Sequence, residues 1–298
     1  MKTVILMLFL GLALMANQLE ITTSIVPQKY FVEKIGGDKV NVNVMVQPGF
    51  SPATYEPKTS QLKLLAKSDV YFSIGVPFEH VWLDRFKSAN KNLWIVDTSK
   101  NIIKQPIAAH SHGETHDAHD GDEHDHDAHD AHDEHEHEGL DPHIWLDPLL
   151  VKVQAQNIYE ALVKLDAKNQ AFYQKNLEQF LNELDALNVK IQTILEKLDN
   201  RTFMVFHPSW GYFAKRYDLE QVAVEVEGKE PKPSELLNLI KEAKEENIKI
   251  VFVSPAFSQK SAHVIAKSIN AEVISVDQLS IKWDEMMLEV AKYIQQNN

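Results

Sequence analysis

Short apolar, β-branched runs alternate with segments of helical period along most of the chain. Residues 19–25, 40–46, 70–74 and 93–96 read as strands, the second alternating Val with Asn. Between them, residues 27–35, about 60–67 and a segment carrying Glu79, His80 and Trp82 have helical spacing; Gly36 and Gly37 close the first. A second set follows the same rhythm. Strands are predicted over 202–206, 221–226, 248–253 and 272–276. Helices are predicted from Ser234, as cap, to about 247, from about 259, and over 283–296. Strands alternating with helices of about ten residues indicate parallel sheets covered by helices, and such sheets bind ligands beyond the carboxyl ends of their strands.

Two longer helical patterns separate the sets. Residues 149–165 form one. Residues 169–198 form the other, with no Gly or Pro and with apolar side chains at Phe172, Leu177, Phe180, Leu181, Leu184, Leu187, Ile191, Ile194 and Leu195. The second would be about 45 Å long at 1.5 Å per residue. Its heptads are irregular, which favours a rigid strut between two lobes over a coiled-coil seam. The predicted fold class is therefore α/β: two lobes, each a mostly parallel sheet flanked by helices, joined by one long rigid α-helix. Expected boundaries are 17–147 for the first lobe, 148–199 for the linking helices and 200–298 for the second lobe.

Composition changes this picture at two places. Lys2 followed by an apolar run over 3–14 and a small residue at Ala16 reads as an export signal, residues 1–16, and the run is too short for a good membrane span. With no cysteine there is no disulfide, lipid-anchoring thiol or thiolate metal site. A periplasmic protein is the expected result. The second place is the segment 110–138, which holds twelve acids and no Lys or Arg. The net charge of −13 belongs to it, since the remainder has 31 acids against 30 bases. The folded body thus has no charge-based case for nucleic acid or an anionic membrane.

That segment carries ten histidines, nearly all beside an acid: His110, His112, His116, His119, His124, His126, His129, His132, His135 and His137. Imidazole is the commonest protein ligand of first-row transition metals, and carboxylates serve as oxygen ligands or acceptors behind imidazole. Without aliphatic side chains the segment is expected to be disordered in the absence of metal and to bind metal as an accessory site. Three further ligand-type residues stand beyond predicted strands or at an element boundary: His143, His207 and Asp277. In a chain without Cys, Zn²⁺ draws on imidazole nitrogen and carboxylate oxygen.

The motifs around them resemble the zinc-uptake solute-binding proteins of ABC importers (ZnuA type). The resemblance is carried by Asp141-Pro142-His143-Ile144-Trp145-Leu146-Asp147-Pro148, by Phe206-His207-Pro208-Ser209-Trp210-Gly211-Tyr212, by Tyr55-Glu56-Pro57 and by Val276-Asp277, with an acidic His-rich insertion before the first. It covers essentially the whole mature chain. It implies two α/β lobes joined by a long helix, zinc ligation by His143, His207 and Asp277, a membrane permease as partner, a monomer, and no enzymatic reaction. His rather than Glu at 207 favours Zn²⁺ over Mn²⁺. A rigid joining helix implies metal release by small shifts near the ligands. The family's usual first ligand His falls at Ala53 here. The vacancy leaves water, a loop His, Glu79 or His80 as the fourth ligand, with Glu79 alternatively serving the N-terminal dipole of its helix. A metal buffer and a zinc hydrolase are the alternative functions; no HExxH helix supports the second.

Overall fold

A computed structural model describes residues 18–107, 139–225 and 229–297. The export-signal segment and the ten clustered histidines lie outside the described residues. In the first lobe, β1 (Leu19–Thr23), β2 (Val40–Val44), β3 (Val70–Ser73) and β4 (Trp94–Asp97) form a parallel sheet in the order β2-β1-β3-β4. Helices α1 (Val26–Gly36), α2 (Thr59–Leu65) and α3 (Pro77–Ala89) supply the crossovers. The second lobe repeats this plan. Strands β5 (Thr202–Val205), β6 (Glu220–Ala223), β7 (Ile250–Val253) and β8 (Glu272–Ser275) are ordered β6-β5-β7-β8, again all parallel.

Between the sheets lie α4 (Pro148–Leu165) and α5 (Gln170–Leu195). Helix α5 is shorter than the predicted 169–198: a 3₁₀ turn at Ala167–Asn169 takes its first residue, and the helix ends three residues early, at Leu195. At 26 residues it spans about 39 Å. In the second lobe α6 (Gly211–Arg216), α7 (Pro233–Glu245) and α8 (Lys260–Ile269) follow their strands, and α9 (Trp283–Gln296) ends the described chain. Strand ends were also overestimated. The first strand ends at Thr23, after which the Ser24 and Ile25 N–H groups donate to the Gln28 amide oxygen while Ser24 keeps a bond to the Phe72 carbonyl. Ser234 does not cap α7: Pro233 opens the helix, and Glu235 reaches back to accept the Lys232 N–H at 2.6 Å.

The apolar core runs through both lobes. One apolar cluster runs from the first sheet through α1, α4 and α5 into one face of the second sheet and α9. A smaller cluster joins the other face of the second sheet to α7 and α8. The buried stripe of α5 comprises Tyr173, Leu177, Phe180, Leu184, Leu187, Ile191 and Leu195. Where α1, α5 and α9 meet, Trp283 sits edge-on to Phe31 at 5.1 Å, and Phe31 packs on Phe180 at 6.0 Å. The last helix of the second lobe is thereby anchored on the first. Among the described residues no helix is long and apolar enough to cross a membrane.

Candidate metal centre

The carboxyl ends of both sheets face a common cavity of roughly 650 Å³. Loops after β2, β5 and β7 contribute Ala53, His207 and Phe257, the first turn of α3 contributes His80, and the segment before α4 contributes His143 and Trp145. This is the crevice that parallel sheets of this order offer to ligands.

Local chemistry fixes His143. Asp141 accepts the backbone N–H two residues on, at 2.9 Å, so that Asp141, Pro142 and His143 form a side-chain-closed turn. The same Oδ1 lies 2.6 Å from His143 Nδ1. Burial lowers the His143 pKa, with the Asp141 carboxylate opposing the shift and His207 adding to it. The ring is thus held neutral with its proton on Nδ1 toward Asp141, and Nε2 keeps its lone pair.

His207 repeats the device from the other lobe. It follows β5, and its Nδ1 lies 2.5 Å from Oε2 of Glu225, just past the neighbouring strand β6. The Glu225 N–H donates to the Phe206 carbonyl at 2.9 Å, which continues the β5–β6 pairing and aims the carboxylate at the ring. Phe257 stacks on the imidazole at 4.8 Å. The two rings meet edge to face with centroids 5.3 Å apart. Two imidazoles from different lobes, each backed by a carboxylate, form the nucleus of a borderline-soft metal site.

The other expected ligands are distributed differently. Asp277 is not brought to this pair. It lines a separate cavity of about 710 Å³ with Lys29 and Lys58 of the first lobe, and its Oδ1 accepts the Leu279 N–H at 2.9 Å. The next residue, Gln278, lines the histidine cavity instead. Gln278 is pinned there: its carbonyl accepts from Trp145 Nε1 at 3.0 Å and its side-chain oxygen from Ser209 Oγ at 3.0 Å. Glu79 does not simply face a helix dipole. It is buried and accepts from Ser24 Oγ and from the N–H groups of Ile74 and Gly75. Burial pushes its pKa up to about 7. It lines a neighbouring cavity with Lys104, whose ammonium is disfavoured by burial. His80 lines both that cavity and the histidine cavity. Among the described residues no third His, Asp or Glu completes a cluster with His143 and His207.

Three participants were not singled out from sequence. Asp141 was visible in its motif, and an acid two residues before a candidate ligand His is the available signal. Glu225 and Phe257 come from loops distant in the chain, and only the strand order brings them to His207.

The comparisons with known proteins bear on the chain as a whole. A family profile described as "Zinc-uptake complex component A periplasmic" (ZnuA) matches residues 21–297. The high-affinity zinc uptake system protein ZnuA of Bacillus subtilis is 27% identical over 269 residues, covering 86% of this chain and 77% of that protein. A crystal structure of ZnuA superposes with TM-score 0.83 at 41% identity, covering 94% of this chain and 99% of that one. The crystal structure of a 138–173 deletion mutant of ZnuA with zinc bound gives TM-score 0.82 at 41% identity, covering 95% and 98%.

Proposed function

The chain belongs to the ZnuA family of periplasmic zinc-uptake components, and from that premise we propose that it captures Zn²⁺ outside the cytoplasm and passes it to the membrane permease of an ABC importer. The observation that carries this reading is the facing pair His143 and His207, each oriented by a buried carboxylate at the mouth of both sheets. Nε2 of His143 and Nε2 of His207, left free by the carboxylates on Nδ1, would hold the zinc. Asp277 stays outside the set in this conformation, where it lines a separate cavity and accepts the Leu279 N–H.

We assign no reaction to the site. Asp141 and Glu225 are both engaged by imidazole, so neither serves as general base to a metal-bound water. The protein works as a monomer with lobes 17–147 and 200–298 joined through 148–199, since the apolar stripe of α5 is buried within the chain. Residues 1–16 direct export and are cleaved near Ala16. The histidines between 110 and 137 act as an accessory collector.

Zinc titration of the full chain against a competing chelator tests the reading. His207→Ala is expected to lose the tightest site while weaker loop binding persists. A tight site unaffected by His207→Ala would overturn it. Restoration of growth under zinc limitation by the wild type, and not by His207→Ala, tests uptake itself.

A further inference from the structure

Two imidazoles leave a zinc ion short of the four ligands it favours, and the wall of the cavity holds a third. We propose that His80, on the first turn of α3, is the third imidazole ligand of the zinc site, with water in the fourth position. The inference rests on the reading of His143 and His207 as the metal pair.

The cavity contains few other donors. Asp141 and Glu225 are occupied in orienting the two rings. Gln278 is pinned by Ser209, and Asp277 lines a different cavity. The Glu79 carboxylate points under the helix into three donors. His80 differs from all of these. It lines the same cavity as the pair, its side chain is exposed, and among the described residues it makes no hydrogen bond or ion pair. Its ring is thus held back by nothing that zinc would have to displace.

The backbone carrying it is firmly placed. The Phe78 N–H donates to the Pro52 carbonyl at 3.1 Å, and the Phe78 ring packs edge-on against Tyr55 at 6.0 Å. The start of α3 and the segment 52–55 therefore form one wall. Ala53 lies on that wall, lines the same cavity and brings no donor atom. In the described conformation the three imidazoles do not yet form a closed cluster. On this proposal the cluster closes by rotation of the His80 side chain into the cavity that it already lines.

The test uses the full chain and Zn²⁺ with a competing chelator. His80→Ala is expected to weaken the tight site by at least roughly tenfold, since losing a ligand costs no less than losing an outer-shell partner. Adding Ala53→His to His80→Ala should restore most of that loss, by supplying an imidazole from the same wall. X-ray absorption at half an equivalent of zinc should count three imidazoles in wild type and two in His80→Ala. Far-UV circular dichroism and melting of the metal-free variant should match wild type, as the side chain is exposed. Unchanged affinity in His80→Ala, or three imidazoles still present, overturns the proposal while His207→Ala still abolishes the site. If His207→Ala is silent as well, the pair itself has been misplaced and both readings fall.

Discussion

Asp141→Asn separates a role in orienting His143 from a role in folding. Asp141 is 1% exposed, and its Oδ1 accepts from both the backbone N–H and Nδ1 of His143. Its Oδ2 is buried without a hydrogen-bond partner. An asparagine keeps an oxygen for the backbone N–H but removes the charge that holds the imidazole proton on Nδ1. Loss of such a carboxylate behind a ligating histidine costs roughly 10–100-fold in metal affinity, or about 1.4–2.8 kcal/mol at 1.4 kcal/mol per decade. The metal-free protein responds differently. A buried carboxylate with one unsatisfied oxygen opposes folding, so replacing it should leave metal-free stability within about 1 kcal/mol of wild type or raise it. The assay pairs a chelator-competition titration with urea unfolding of the metal-free protein. Unchanged zinc affinity would refute the orienting role. An affinity loss matched by an equal stability loss would assign the effect to general damage.

Two further outcomes follow from the packing and titration of the lobes. Trp283→Phe removes the indole N–H that donates to the Trp145 carbonyl at 2.8 Å; the orphaned buried acceptor and the smaller ring together should cost about 2–4 kcal/mol in urea unfolding, and a loss below 1 kcal/mol would show that this contact does not hold α9 to the first lobe. Glu79 titrates in the folded protein near pH 7 against an ordinary 4.5, so the native state binds the extra proton between those values, and the stability of the metal-free wild type should fall relative to Glu79→Gln as pH rises from about 5 to 8, by up to roughly 3 kcal/mol at 1.36 kcal/mol per pKa unit; a difference independent of pH would mean that the carboxylate is solvated.

The elements were largely legible because the period-two and period-3.6 patterns are clean where the chain buries one face. The alternating strand β2 shows Val40 and Val42 buried against an exposed Asn41, and the helix predicted over 283–296 is found as Trp283–Gln296. Ends were less legible, because they are set by single hydrogen bonds. Gln28 turns the chain out of β1, and Glu235 with Pro233 moves the start of α7. The site divided along the same line. His143 and His207 were recognisable, since each lies in an apolar motif at an element boundary. Asp277 and Gln278 show where reading stops. Successive residues past a strand face opposite ways, and one position decides which of two cavities a side chain enters. The pairing of His207 with Glu225 depends on β6 lying beside β5, and strand order is a property of the whole sheet.

The structure also bears on how metal enters and leaves. Trp145 and Trp283 are both fully buried where the lobes meet, joined by the bond from Trp283 Nε1 to the Trp145 carbonyl, and Trp145 Nε1 is held by Gln278. A tryptophan buries about 150–250 Å², so exposing both by wide separation of the lobes would cost about 10 kcal/mol at 25 cal/mol/Å². That is comparable to the whole stability of a typical domain. The Tyr212 hydroxyl adds to the closure by donating to the Asp141 carbonyl, and Arg216 does so by binding Asp147. Wide opening would therefore carry a cost of that order. What can move at small cost is the exposed rim: Ala53 and Thr54 in the loop after β2, and His80 on the first turn of α3. On the proposal made for His80, capture and release reduce to that imidazole joining or leaving the pair His143 and His207.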